Sequence, residues 1–223
     1  MSKPKAMISL CDLTGHMAEP WVEAGYRCII VDPQHSENSG PLTWYTRDNG
    51  IECFAGVVDK FKQELDWIWE TLDVQFVAAF PPCTDLAVSG ARWFASKAEV
   101  NPRFQEEAMQ VVYDCHAIAE YLGSAYMIEN PVSCISSLWR KPDYSFHPWQ
   151  FTGYCKDDNY TKKTCLWTGN GFIMPEPFID ESLGNPDDRI HKAPPSSERA
   201  NFRSATPRGF AKAVYEANKQ GDL

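Results

Sequence analysis

Short apolar runs alternate with amphipathic stretches through the first half of this 223-residue chain, and this alternation constrains the fold more than any other feature. The pattern predicts strands at 7–10, 27–32, 51–58, 74–80 and 125–129, and helices at 19–24, 61–72 and 102–122. Strands that alternate with helices favour a parallel sheet covered by helices. We therefore predict an α/β fold with a mostly parallel, doubly wound sheet and helices on both faces.

The second half of the chain is less regular. It predicts a strand at 163–167 and a last helix at 207–218, with an aromatic, irregular stretch at 142–159. Five prolines and several acidic residues make 175–201 an expected exposed loop. The length fits one domain, 1–223, in which 169–201 is a short irregular insert.

The amino-acid composition makes several classes of function unfavourable. Lysine and arginine number 21 against 30 acidic residues, which gives a net charge of −9 and a pI near 5.0. Such a chain is a poor candidate for binding nucleic acid through phosphate contacts alone, although a local basic groove stays open. The apolar runs are too short to cross a bilayer and the first residues lack a secretory signal, so we expect a soluble, cytoplasmic protein without a membrane partner. The eight cysteines form no C-x-x-C pair, which favours reduced thiols and no bound metal.

Unusual residues follow the predicted strands, at the point where each strand ends. They are Thr14-Gly15, Asp32, Asp59, Pro81-Pro82-Cys83 and Glu129-Asn130. The carboxyl ends of parallel strands meet at one edge of a sheet, and ligands of open α/β sheets bind there. The sequence therefore predicts one ligand crevice that contains all of these residues.

Asp32 and the turn at Gly15 predict the kind of ligand. An acid at the end of the second strand, after a glycine turn that follows the first strand, suits hydrogen bonds to ribose hydroxyls. A solvated aspartate at a strand end is the alternative. The turn lacks the G-x-G-x-x-G sequence that binds a pyrophosphate, so a nucleoside ligand without pyrophosphate fits better.

Cys83 is the candidate nucleophile. Two prolines precede it directly, and they hold the chain rigidly where the thiol enters the crevice. Most cysteines are small buried apolar residues, which is the interpretation we keep for the other seven. Glu129 follows the neighbouring strand, where a carboxyl in a partly dry crevice stays protonated and acts as a general acid. A structural hydrogen bond to the backbone is the alternative for Glu129.

These motifs, in this order, resemble the DNA cytosine-5 methyltransferases. Members of that family carry D-L-F-x-G-x-G-G, then A-G-F, P-C-Q and E-N-V, and the similarity here covers most of 7–167. It is greatest to compact, phage-type relatives that read P-P-C-T-x-L-A-V-S-G-A-R. The chain departs from the family at Ser9, where the family has aspartate, at His16 in place of glycine, and at Thr84 in place of glutamine.

The resemblance implies a Rossmann-like class I methyltransferase domain with S-adenosyl-L-methionine as cofactor. Cys83 would attack C6 of cytosine, Glu129 would bind N3 and the exocyclic amine, and Asn130 would hold the loop that carries Cys83. Asp32 would take the ribose hydroxyls of the cofactor, and Asp59 would lie beside its adenine. The full cofactor set implied by the resemblance is Leu13, Thr14, Gly15, Asp32, Asp59 and Pro81.

The family also places an arginine on the cytosine carbonyl, and here the corresponding stretch carries two lysines. Lys162 or Lys163 would supply the charge, although lysine lacks the two-pronged geometry of a guanidinium. A solvated strand start is the alternative for whichever lysine points away. Arg92 is a further candidate cation near the crevice.

The interval 169–201 is short, acidic and proline-rich where family members carry a target-recognition domain. Three substrates or modes stay open: DNA with little sequence preference, DNA with a protein partner that supplies recognition, or a free cytosine nucleotide such as dCMP. We expect methyl transfer to C5 of cytosine in DNA, in the host cytoplasm if a phage encodes the chain. A catalytically silent protein that binds a nucleotide or a partner is the alternative outside enzymology.

Overall fold

The computed structural model describes residues 2–192 and 204–219. Eight strands form one sheet in the order β3-β4-β2-β1-β5-β6-β8-β7. Their bounds are β1 Lys5–Leu10, β2 Arg27–Val31, β3 Trp44–Thr46, β4 Glu52–Phe54, β5 Asp73–Ala79, β6 Ala125–Pro131, β7 Tyr144–Phe146 and β8 Thr164–Gly169. Strands β4, β2, β1, β5 and β6 are parallel to one another, whereas β3 pairs antiparallel with β4, and β8 pairs antiparallel with both β6 and β7.

The parallel strands are wound outward from β1 in two directions. The chain first runs from β1 through β2 to β4 on one side, and then crosses to β5 and β6 on the other side. In open α/β sheets with such a reversal of strand order, ligands bind beside the reversal, at the carboxyl ends of the strands. The prediction of an α/β fold with a mostly parallel sheet is confirmed.

Helices cover both faces of the sheet, as predicted. In the described residues they are α1 Glu19–Glu23, α2 Ser36–Ser39, α3 Val58–Phe61, α4 Leu65–Thr71, α5 Phe94–Val100, α6 Phe104–Leu122, α7 Ile135–Leu138, α8 Arg189–Lys192 and α9 Arg208–Asn218. Alternate residues of β1 enter two separate cores, because successive side chains of a strand point to opposite faces. Ile8 packs with α4 and α6, whereas Met7 packs with α1 and α9.

Several predicted boundaries need correction. The predicted strand 51–58 ends at Phe54, because Val58 begins α3 and packs into the core from that helix. The helix predicted at 61–72 is broken into the end of α3, a 3₁₀ turn at Lys62–Glu64, and α4. Strand β6 continues past 129 to Pro131, because its last residues pair with β8. The sequence did not predict β3, β7 or α5.

The aromatic stretch at 142–159 is part of the core. Phe146 and Phe151 are buried, and the ring of Phe146 stacks on Phe210 of α9 with centroids 3.8 Å apart. In the predicted loop 175–201, the described part to 192 contains a 3₁₀ turn at Glu181–Leu183 and α8, and 193–201 lies outside the described residues. None of the helices in the described ranges is long and apolar enough to cross a membrane.

Candidate functional site

A loop that follows β1 lies at the carboxyl ends of the parallel strands, and we call residues 11–16 the Asp12 loop. The Asp12 carboxylate is buried and accepts hydrogen bonds from Ser9 Oγ at 2.7 Å, Thr14 Oγ1 at 3.1 Å and Gly15 N at 2.8 Å. The turn needs left-handed backbone at two residues, with φ of +56° at Cys11 and +76° at Gly15. Glycine adopts this conformation without strain, so one buried carboxylate and one glycine fix the loop.

Arg47, which follows β3, holds the same loop from outside. Its guanidinium donates to Thr14 O at 2.7 Å and to Leu13 O at 2.6 Å. A Cβ at Gly15 would lie 3.1 Å from Arg47 Nη1, so a larger residue there would disturb this contact. Two of the residues predicted to bind the cofactor, Leu13 and Thr14, therefore have their carbonyl oxygens bound by the protein itself.

His35 is a second support of the Asp12 loop. It is fully buried, and its Nε2 lies 3.1 Å from Asp12 O, a carbonyl that only accepts, so Nε2 carries the proton. Nδ1 lies 3.3 Å from the Tyr45 hydroxyl. Burial and the charge of Arg47 lower the pKa of His35, which keeps the imidazole neutral.

Asp32 lies beside this loop, at the end of β2. Its carboxylate Oδ1 accepts from Gln34 N at 2.8 Å, and Asp12 N donates to Val31 O at 3.0 Å, which joins the two strand ends. Burial raises the pKa of Asp32, and the neighbouring Asp12 carboxylate raises it further. A buried acid with a destabilised charge is a good acceptor for hydroxyl donors, because each such bond offsets lost hydration.

Asp59 does not lie at a strand end. It lies in α3, four residues after Ala55. Its side chain is 62% exposed, and its carboxylate lies within 4 Å of the ammonium groups of Lys60 and Lys62. The sequence placed it wrongly, because the predicted strand continued too far. Its predicted contact with an adenine would have to be made from this exposed helix.

Cys83 lies in a loop that follows β5 and is tied to the end of β6. Asn130 is buried, and its Nδ2 donates to Pro81 O at 2.9 Å. The Cys83 carbonyl accepts from Leu86 N and Ala87 N, so the chain turns directly after the half-buried thiol. The two loops then run side by side, with main-chain bonds from Val88 N to Val132 O and from Cys134 N to Leu86 O.

Two side chains from neighbouring helices also hold the Cys83 loop. Lys97 of α5 donates to Thr84 O at 3.1 Å and forms an ion pair with Asp85 at 2.5 Å. Gln105 of α6 donates to Asp85 O at 3.3 Å. The residue that follows Cys83 is thus held by a cation from the next helix.

Glu129 points to the face of the sheet that packs against α1 and α9. Met127, two residues earlier, is buried on that face, and alternate residues of a strand share a face. Although Glu129 is partly exposed as a whole, its Oε1 is buried and accepts no hydrogen bond from the described residues. Burial raises the pKa of Glu129, and the charge of Lys162 opposes this rise.

The strand register selects one of the two candidate lysines. Glu129 lies opposite Leu166, and because side chains alternate, Thr164 and then Lys162 continue the Leu166 side of β8. Lys162 is half-buried, and its charge works against the rise in the pKa of Glu129. Lys163 is exposed, and its charge works instead against the rise in the pKa of Cys165. Of the two lysines that the sequence left open, the structure therefore places Lys162 beside Glu129, whereas Lys163, the other candidate, is exposed.

Several buried polar atoms without partners lie close together in sequence, in residues 129–133, which we call the Glu129 strand end. Glu129 Oε1, Asn130 Oδ1 and Ser133 Oγ are all buried, and none has a hydrogen-bond partner among the described residues. A buried polar atom without a partner costs about 1–3 kcal/mol. The three atoms lie within five residues, and Ser133 forms an isolated β-bridge with Ala87, which follows the Cys83 turn, so this segment is a candidate place for a polar ligand.

Arg92, the further candidate cation, stacks on a neighbouring ring. It is exposed in the 3₁₀ segment Val88–Trp93, and its guanidinium carbon lies 5.1 Å from the centroid of the Trp93 ring. The contacts of Arg92 in the described residues therefore connect it with Trp93 rather than with Glu129.

Four residues that support the site were not predicted: Asp12, His35, Arg47 and Ser133. Asp12 had a signal, because an aspartate three residues before a glycine, just after a strand, is typical of a turn closed by its own side chain. The other three had none, since their positions depend on tertiary contacts. No protein-family model matches the chain, and no curated protein matches it significantly.

Proposed function

We propose that this chain is a Rossmann-like class I methyltransferase domain that transfers a methyl group to C5 of cytosine, through a transient bond between Cys83 Sγ and C6. The proposal combines the motif resemblance with one observation: the cluster of buried oxygens without partners at the Glu129 strand end, beside the loop of Cys83. A cytosine edge offers an exocyclic amine that donates to such oxygens. A hydrophobic ligand would leave them unpaired.

The nucleophile acts on the ring from C6. Addition of the Cys83 thiolate to C6 moves the ring electrons towards C5, which then carries nucleophilic character. S-adenosyl-L-methionine, when bound, would supply an electrophilic methyl group to C5, and the C–S bond that breaks would leave its sulfur as a neutral thioether. Loss of the C5 proton to a base, followed by elimination of the thiolate from C6, restores the cytosine ring and releases Cys83 from the adduct.

Glu129 stabilises the ring while the thiol is attached. Its raised pKa favours a protonated carboxyl, which donates to N3 as charge develops there and accepts from the exocyclic amine. Lys162 supplies the cation on the same side and takes the role that the family gives to an arginine. Asn130 keeps the prolines and the thiol in register with Glu129 through its bond to Pro81 O.

The Asp12 loop and Asp32 suit the nucleoside part of the cofactor. Asp32 is a buried acid whose charged form lacks full hydration, so two ribose hydroxyl donors would stabilise it. Gly15, with its φ of +76°, supports a turn that brings main chain to the crevice edge. Pro81 lies on the opposite side of the reversal point, at the end of β5.

DNA is the first proposed substrate and a free cytosine nucleotide such as dCMP the second. The net charge of −9 favours the nucleotide, or DNA presented by a protein partner. Of the described insert residues from 169 to 192, five are acidic and only Arg189 and Lys192 are basic. This segment alone offers little for contact with a duplex.

Trapping of Cys83 tests the proposal. We expect that S-adenosyl-L-methionine and DNA containing 5-fluorocytosine give a covalent adduct at Cys83, because fluorine cannot leave C5 as a proton does. Mass spectrometry of the digested protein locates the adduct. Cys83→Ser should give none, and Cys155→Ser, a half-buried cysteine of another loop, should react like the natural protein.

Parallel assays with duplex, single strand and dCMP identify the substrate. Absence of adduct and of methyl transfer with all three, while the cofactor still binds, would contradict the enzyme and favour the silent binding protein.

A further inference from the structure

A surface of exposed apolar side chains lies beside the Cys83 loop. Val88, Trp93 and Val132 are 54%, 55% and 44% exposed, and Arg92 stacks on one side of the Trp93 ring. We call these four residues the rim. Val88 and Val132 belong to the two loops that are joined by a main-chain bond of 2.9 Å.

The rim is continuous with the loop of the proposed nucleophile. Trp93 directly precedes α5, whose Lys97 donates to Thr84 O, one residue after Cys83. On the other side, a Cβ added at Gly90 would lie only 3.7 Å from the same Thr84 O. The segment that carries Trp93 therefore folds back onto the residue next to the thiol.

The charge of this region argues against contact with two phosphate backbones. Residues 83–107 carry three basic and four acidic side chains, and two of the basic ones are paired, Lys97 with Asp85 and Arg103 with Glu106. Arg92 is left as the cation that stacks on Trp93. Binding of a duplex depends on several such cations, whereas binding of a single strand depends largely on aromatic stacking.

We infer that the rim binds single-stranded DNA and that Trp93 stacks on a base next to the target cytosine. This inference rests on the proposed function and names its substrate class. Arg92 stacks on the Trp93 indole, and Trp93 is 55% exposed; in the inferred complex a base stacks on the indole face away from Arg92, and the Arg92 charge meets the adjoining phosphate. A single strand also spares the cost of extruding a base from a duplex.

Binding without turnover tests the inference. We would measure fluorescence anisotropy of a labelled 12-nucleotide single strand with one central cytosine, its duplex, and Trp93→Ala, Trp93→Phe and Trp69→Ala variants. Trp69 is a matched control, because it is 52% exposed on α4 and contacts Lys3 ahead of β1, at the opposite end of the sheet. Loss of one stacked base predicts about tenfold weaker binding or more for Trp93→Ala, with Trp93→Phe close to the natural protein.

The dependence on salt is a second readout. A slope of log K against log salt of roughly −1 is expected for about one phosphate contact. Equal affinities of Trp93→Ala and Trp69→Ala would overturn the inference, as would a duplex that binds as tightly as the single strand. Weaker binding by Trp93→Ala alone supports it. The adduct assay at Cys83 is independent of these affinities, so failure of the proposed chemistry would be recognised separately.

Discussion

The Asp12 loop and the Glu129 strand end differ in whether their buried polar groups have hydrogen-bond partners within the protein. In the Asp12 loop, the Asp12 carboxylate accepts three hydrogen bonds and Arg47 donates to two carbonyl oxygens. The polar groups of this loop therefore find their hydrogen-bond partners within the protein. At the Glu129 strand end, three buried oxygens have no partner in the described residues. Both sites lie at the carboxyl end of one sheet, so the difference does not come from their position in the fold.

The Asp12 loop is held in its shape before any ligand binds, whereas the Glu129 strand end has hydrogen-bonding groups available for a ligand. A satisfied network holds its shape without a ligand, and its worth is measured as stability. Oxygens without partners lower stability and gain their hydrogen bonds only when a ligand arrives. Substitutions on the first side should therefore change folding most, and substitutions on the second side should change activity most.

Glu129→Gln should have the largest effect on activity. Loss of a group that donates and accepts at the developing charge predicts a methyl-transfer rate lowered about 100-fold or more, measured with labelled cofactor. Glu99→Gln, on the exposed side of α5, is the control and should keep full activity. If Glu129→Gln were as active as this control, the proposed role of the carboxyl would be wrong.

Asp12→Asn should have the largest effect on folding. Ser9 Oγ and Gly15 N donate to different oxygens of Asp12, and an amide keeps only one acceptor oxygen, so one of these bonds is lost and about 1–3 kcal/mol of unfolding free energy should be lost with it. Urea denaturation measures it. Asp59→Asn, at an exposed acid, should change stability by less than about 1 kcal/mol. Equal losses in the two variants would remove the distinction between the sides.

The pH dependence of stability distinguishes the sides further. Burial raises the folded pKa of Glu129 above its ordinary value of 4.5, so the native state binds the proton more tightly than the unfolded chain. The contribution of Glu129 to stability is fully present below that ordinary value and is lost as pH rises through the folded pKa. Glu129→Gln should match the natural protein at about pH 4 and unfold at higher urea at about pH 8. A difference that does not change with pH would contradict this.

Lys97→Met should have the smallest effect. An ion pair this exposed contributes about 0–1 kcal/mol, so little change in unfolding is expected. The rate of fluorocytosine adduct formation should still fall about threefold, because Lys97 fixes Thr84 beside the thiol, and Lys97→Arg should restore part of it. Lys60→Met, an exposed lysine of α3, is the control. An unchanged adduct rate would show that the loop holds its position without Lys97.

The parallel part of the fold was predictable because its strands are buried on both faces. Strand β2 differs from its predicted range by one residue, since a run of apolar residues between polar ends leaves little choice. Apolar residues alone do not distinguish a strand from a helix, and this is why 51–58 was assigned wrongly. Strands β3 and β7 have three residues each, and they exist only because a neighbouring strand pairs with them.

The site was predictable where it depends on strand ends alone. Asn130 lies in the last residues of β6 and Pro81 follows the neighbouring parallel strand β5, and the structure joins them with a hydrogen bond. Arg47 was not predictable, because it reaches Thr14 from a turn after a strand that the sequence did not reveal. The choice between Lys162 and Lys163 depends on antiparallel register, which the residues themselves do not encode.

Lys162 and Lys163 are adjacent, and this has a consequence for insertions in the segment that leads into β8. If one residue were inserted between Lys163 and Leu166 while Leu166 stayed opposite Glu129, Lys163 would take the position that Lys162 now holds. A neighbourhood with a single lysine would lose its cation under the same insertion. Because two adjacent residues carry the charge, a one-residue insertion before Leu166 would still leave a lysine at the position beside Glu129.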